Sequence, residues 1–241
     1  MKKRPALQLT VVYDNQSLDP RLESDWGFSC FVKGLEKSIL FDCGADGRIL
    51  LSNLAKLGIQ PAEIDAVVLS HAHRDHTGGL KDLLSRNSKL EVWLPHFFSA
   101  DFKEGILKKG AGVVEVKEPR EICAGAHTSG VIEGWIKEQS LVLDTSKGLV
   151  LLTGCAHPRI VQIVARVREM FQNDVFMALG GFHLAGFEKK EIMDIIRKFR
   201  NSGVRSVGPA HCSGDEARAF FAAEYADDFL LIGVGKKILL P

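Results

Sequence analysis

The sequence predicts an α/β fold, and three observations carry that prediction. Short apolar runs rich in Val, Leu, Ile and Phe recur along the chain and stop at Gly, Pro or His. Between them lie segments whose apolar residues fall at helical spacing. Strand, strand, helix units return in both halves with no low-complexity segment, linker or short repeat, so residues 1–241 read as one domain.

Taken in order, residues 7–13 read as a first strand ending at Asp14-Asn15. Residues 26–33 and 37–42 read as a hairpin turning at Gly34, and a helix with Ile49, Leu50, Leu54 and Leu57 on one face closes at Gly58. Residues 65–69 form a short buried strand. Thr77 is expected to cap a helix that carries Leu80, Leu83 and Leu84. A strand at 90–94 and a helix over 97–110 follow. Strands at about 112–117, 131–137, 140–144 and 148–153 are expected to make a second sheet, the last two joined by Thr145-Ser146-Lys147-Gly148. Pro158 opens a helix over 159–171. Strand 175–179, helix 188–200 and strand 204–207 come next. Ser213-x-x-Glu216 reads as a capping box, and 229–232 and 236–240 as final strands.

Bulk properties narrow the function classes. The 241 residues are 46% hydrophobic and 25% charged, ordinary for a soluble globular protein whose core needs no disulfides. A net charge of +1, from 31 basic and 30 acidic residues, gives no electrostatic case for nucleic acid or a membrane surface. No run reaches the roughly 18 apolar residues of a membrane helix. The apolar stretch after the basic start is too short for a secretory signal. Five cysteines without paired spacing fit a reducing cytosol, so a cytoplasmic protein is expected.

The chemistry concentrates in Ser70-His71-Ala72-His73-Arg74-Asp75-His76-Thr77-Gly78-Gly79. His71 and His73 are two apart, so in an extended segment they point the same way and can grip one ion. Asp75 and His76 lie a turn further on and can face a second. Imidazole with carboxylate suits zinc, and also iron or manganese.

This His-x-His-x-Asp-His pattern at a strand end resembles the signature of the metallo-β-lactamase-fold superfamily. The resemblance implies a four-layer αβ/βα sandwich, two mixed β-sheets flanked by helices, with the metal site at one edge. It also implies two divalent ions, zinc first and manganese or iron as alternatives, and a metal-bound hydroxide acting on a small phosphorylated or ester substrate. Further motifs extend the likeness over most of the chain: Trp26-Gly27-Phe28-Ser29, Phe41-Asp42-Cys43-Gly44, Thr153-Gly154-Cys155-Ala156-His157-Pro158, Gly180-Gly181-Phe182-His183-Leu184 and His211-Cys212-Ser213-Gly214. Together they are similar to a prokaryotic metal-dependent hydrolase branch that includes the archaeal dihydropterin–ribofuranosylaminobenzene-phosphate synthases. That likeness implies, as alternative, a transferase that takes a pterin diphosphate. A non-catalytic metal-bound ligand-binding protein is the third reading.

The resemblance also distributes the remaining residues. His71, His73 and His157 are expected on one ion, and Asp75, His76 and His211 on the other, with Asp75 also orienting the nucleophile or accepting its proton. Where the superfamily carries a bridging Asp this chain has Cys155, a metal ligand or a neighbour of one. His127, in His127-Thr128-Ser129-Gly130, competes with His157 for one place; His157 is favoured because it follows a strand and precedes a helix. Asp42 is expected to support the metal loop by hydrogen bonds. Asp14 and Asn15 are expected to face the substrate, and Arg159, at a helix entry, to hold a phosphate. His183 is expected in the substrate pocket, in a catalytic or binding role, and His96 is structural. The oligomeric state is not legible.

Overall fold

The computed structural model describes residues 7–240. The first half runs β1 (Leu7–Tyr13), β2 (Ser29–Lys33), β3 (Ile39–Phe41), α1 (Gly47–Lys56), β4 (Ala66–Val68), α2 (Arg74–Thr77), α3 (Leu80–Arg86), β5 (Glu91–Pro95), α4 (Ala100–Lys108) and β6 (Gly112–Val116). The second runs β7 (Arg120–Cys123), β8 (Ala126–Thr128), β9 (Leu141–Thr145), β10 (Gly148–Thr153), α5 (Ile160–Phe171), β11 (Val175–Gly181), α6 (Lys189–Asn201), β12 (Ser206–Ala210), α7 (Asp215–Tyr225) and β13 (Lys237–Leu240).

The strands form two mixed sheets, in the orders β13-β1-β2-β3-β4-β5-β6 and β12-β11-β10-β9-β8-β7. Side chains alternate across each strand, and the alternation builds the layers. Leu9 and Val11 of β1 meet Val150 and Leu152 of β10 in the core between the sheets. Val12 turns outward to α1 and α3, while Leu149 and Leu151 turn outward to α5 and α6. The result is helices, sheet, sheet, helices: a four-layer αβ/βα sandwich. Among the described residues no helix is long and apolar enough to cross a membrane.

Five local expectations fail, each for a physical reason. Residues 112–116 pair in parallel with β5 and so belong to the first sheet. Residues 131–137 are not a strand; Ile132 and Glu138 make one isolated bridge, and the edge of the second sheet is built by β7 and β8 instead. Phe229 likewise makes a single bridge, to Val207. Thr77 ends α2, its hydroxyl bonded to the His73 carbonyl, and Gly79 precedes α3. Ser213 donates to the Ala210 carbonyl and accepts from Phe182 N–H, so it caps nothing and Gly214 precedes α7.

Candidate metal centre

The candidate donors gather at one edge of the sandwich, on the loops that leave β4, β10 and β12. The loop after β4 is fastened by Asp42, which lies fully buried just past β3. Its carboxylate accepts the Ser70 N–H at 2.7 Å and the Ser70 hydroxyl at 2.8 Å, and lies 2.7 Å from His76 Nδ1. Its φ of +56° is a left-handed conformation, tolerated by a short polar side chain. A Cβ on Gly154 would collide with Ser70, so glycine permits this close approach of the two sheets' loops.

Two histidine-rich sets of donors result, beside a third of Cys155, His183 and Cys212 that shares its cysteine with one of them. The donor atoms of His71, His73 and His157 lie within 4.8 Å of one another. So do those of Asp75, His76, Cys155 and His211. In the second set the Asp75 carboxylate is 3.2 Å from His211 Nε2 and 3.6 Å from His76 Nε2, and Cys155 Sγ is 3.2 Å from His76 Nε2. His71 Nε2 is buried with no hydrogen-bond partner. A buried orphan nitrogen is costly, and an ion among three imidazoles is the partner that such a site fits.

The electrostatics prepare the donors. Burial pushes His71 down to about 3 and His76 down to about 4, so both rings are neutral and free to donate a lone pair near neutral pH. Burial alone would raise the Asp75 carboxyl, but the His211 and His76 rings outweigh it and hold Asp75 well below the usual carboxylate range. Burial raises Asp42 to about 8, which fits a carboxyl sharing a proton with His76 Nδ1.

Asp14 and Asn15 both bond to His211. Asp14 is fully buried and accepts the His211 N–H at 3.0 Å; burial raises it to about 6. Asn15 donates to the His211 carbonyl at 3.1 Å and lies 3.0 Å from its Nδ1. For Asp14, fully buried, this bond takes the place of the expected substrate contact; Asn15 is only part-buried. The grip holds His211 at a φ of +48°. His127 stays outside both sets, 3.0 Å from Asp144, and His96 lies beside the Val116 carbonyl. His183 adjoins the first set, its ring 4.7 Å from His157, and Arg159 is exposed at the entry to α5.

Sequence reasoning missed Glu138. It is fully buried, and one carboxylate oxygen accepts the N–H groups of Gly154, Cys155 and Ala156 at 3.1, 2.9 and 3.0 Å. Its other oxygen accepts the His157 N–H. Gln139 beside it donates to the carbonyls of Leu69 and Trp93, stitching the second sheet to the first. The only signal was a polar Glu-Gln-Ser step between two apolar runs. Trp26 and Trp135 were also missed: they are 54% and 72% exposed, with rings 4.9 Å from His211 and 5.1 Å from His157.

Known proteins share this architecture. The sequence model of the metallo-beta-lactamase superfamily matches residues 27–157. The chain is 30% identical to the 7,8-dihydropterin-6-methyl-4-(beta-D-ribofuranosyl)-aminobenzene-5'-phosphate synthase of Methanocaldococcus jannaschii, over 95% of both chains. A solved metal-dependent hydrolase of the beta-lactamase superfamily superposes with a TM-score of 0.83 at 30% identity, over 96% of this chain and 98% of that one. The metallo-beta-lactamase fold protein YhfI of Bacillus subtilis superposes with a TM-score of 0.73 at 15% identity, over 98% and 99%.

Proposed function

The chain belongs to the metallo-beta-lactamase superfamily, and from that premise we propose that it is a metal-dependent hydrolase of a small phosphorylated substrate. The observation that carries the reading is the adjacency of two donor sets, one of three imidazoles and one of carboxylate, imidazole and thiol, opening on one cleft. His71, His73 and His157 would hold one ion, and Asp75, His76 and His211, with Cys155, a second. Imidazole and thiol donors together suit zinc best, with manganese or iron as alternatives. Ions in these places supply Lewis acidity, lowering the pKa of water toward neutrality and polarising a phosphoryl oxygen.

The protein's own groups supply the rest. Asp75 is ionised and part-exposed, so one oxygen can accept a hydrogen bond from water and orient it. Asp42, Asn15 and Glu138 fix the rings of His76, His211 and His157 from behind. His183 stands over the cleft beside His157, placed to meet substrate.

A second reading is favoured by the 30% identity to a synthase over nearly the whole chain. In it, an arylamine replaces water as the acceptor and a pterin diphosphate is the donor, while the same donor sets neutralise the departing diphosphate. One assay separates the readings. Metal-loaded protein is offered phosphoesters and a pterin diphosphate, with and without an arylamine ribose phosphate. The hydrolase reading expects phosphate or diphosphate release without acceptor, lost in His71→Ala. Release only with the arylamine moves the assignment to transfer, and no release with any loaded metal sinks both.

A further inference from the structure

Beside the metal centre lies a cavity of about 620 Å³, within the size range of small-molecule pockets. Trp135, His157 and His183 line both this cavity and the cleft over the donors, so the two spaces meet there. The donor sets account for the imidazole of His157 but not for Trp135. Its indole is 72% exposed, yet it is set edge-on to His157 at 5.1 Å and tilted against His183 at 5.8 Å. The placement is built into the loop. A Cβ on Gly134 would come within 2.7 Å of Pro158 Cα, so glycine lets this segment lie flat on the entry to α5.

Phe187 adds further aromatic wall, and the Arg159 guanidinium stands 5.8 Å over its ring. Not all of the charges lining the cavity are paired within the protein; Arg159 and Lys190 are exposed to solvent. Lys198 is paired with Asp194 at 2.6 Å, and Glu191 is engaged by the Glu188 N–H at the start of α6. Arg159 and Lys190 form no ion pair among the described residues.

We infer that this cavity receives the non-reacting part of the substrate: a planar aromatic ring stacked on Trp135, bearing an anionic substituent held by Arg159 and Lys190. The inference rests on the reading that the metal centre acts on a small phosphorylated molecule, and it names that molecule's other end. Aromatic faces accept planar rings through offset or edge contacts, and a cation over a ring strengthens when it also meets an anion.

Calorimetric titration of the metal-loaded full chain tests it with naphthalene-2-sulfonate, a ring whose anion resists hydrolysis and binds metals poorly. The expected result is binding at least about tenfold tighter than methanesulfonate. Trp135→Ala should weaken naphthalene-2-sulfonate about tenfold. Arg159→Gln combined with Lys190→Gln should weaken it similarly while leaving neutral 2-naphthol unchanged. Equal affinity for the two sulfonates, or wild-type affinity in these variants, overturns the inference. The titration reads binding without turnover. Ring binding as expected, with no phosphate released from any ester, overturns the proposed reaction and leaves the cavity's role standing; phosphate release with no ring preference does the reverse.

Discussion

Glu138 and His157 are joined twice: the carboxylate accepts the His157 backbone N–H at 3.1 Å and lies 3.0 Å from its Nδ1. A carboxylate can only accept, so Nδ1 carries the proton and Nε2 is left with the lone pair that an ion needs. Glu138→Gln keeps the shape but turns an amide N–H₂ toward buried donors. The expected outcome is a loss of about 10–100-fold in metal affinity, with a lower melting temperature. Competition against a chromophoric chelator measures the affinity. Wild-type affinity in the variant would show that Glu138 supports the corner alone and not the ligand.

Acid should empty the two donor sets in order. Burial lowers both His71, to about 3, and His73, so on acidification these rings take up a proton that competes with an ion later than an ordinary histidine would. His211 goes the other way: burial opposes its charge, but Asp75 at 3.2 Å outweighs burial and raises it above its ordinary 6.5. Below that raised value an ion must expel a proton to bind His211, and its affinity falls about tenfold per pH unit for that one group. Dialysis at pH 7.5 and at pH 5.5, followed by elemental analysis, should show the second set's ion leaving first. His211→Ala should already lack that ion at pH 7.5. Equal loss from wild type and variant on acidification would count against the assignment.

Cys155 gives the second set a spectroscopic signature. Its thiol is raised well above the ordinary value by the hydrogen bond with Cys212 and by burial, so without metal it is protonated. An ion beside His76 Nε2 should displace that proton and bind sulfur. Cobalt-substituted protein should then show a near-ultraviolet thiolate-to-cobalt band that Cys155→Ser removes. A spectrum that is the same in both proteins would return Cys155 to a packing role.

The helix layer behind the second sheet makes its own prediction. Phe221 is fully buried between Phe182, Phe199 and Tyr225, with ring centroids 5.7, 5.8 and 6.0 Å away. Phe221→Ala should cost about 3–5 kcal/mol in urea unfolding through the cavity it leaves.

How much of this was legible in the sequence varied with how local the signal was. His71, His73, Asp75 and His76 stand in one segment after an apolar strand, and their grouping follows from strand and turn periodicity. His157 and His211 could be expected at the same edge because they follow apolar strands, and their donor atoms do gather there. Glu138 was not, because its partners are backbone N–H groups of residues 154–157, and backbone donors carry no residue-type signature. Residues 131–137 carry enough apolar side chains to mimic a strand, but they lie across the α5 entry instead. The true edge strands β7 and β8 are short, polar and interrupted by Gly125, so no periodic run announced them. The bonds of Asp14 and Asn15 to His211 were not legible, since which way a strand-end carboxyl turns depends on the chain that returns nearly two hundred residues later.

The donors of the second set come from both sheets: Asp75 and His76 follow β4, Cys155 follows β10, and His211 follows β12. An ion spanning Asp75 and His211 is therefore a cross-link. It ties a loop on the order of 100 residues, a closure that in a disulfide is worth about 4–5 kcal/mol of chain entropy. The two halves of the sandwich would be latched by the same atoms that face the substrate. Chelation should then slacken the inter-sheet seam itself, so that loss of catalysis and loss of rigidity arrive as one event.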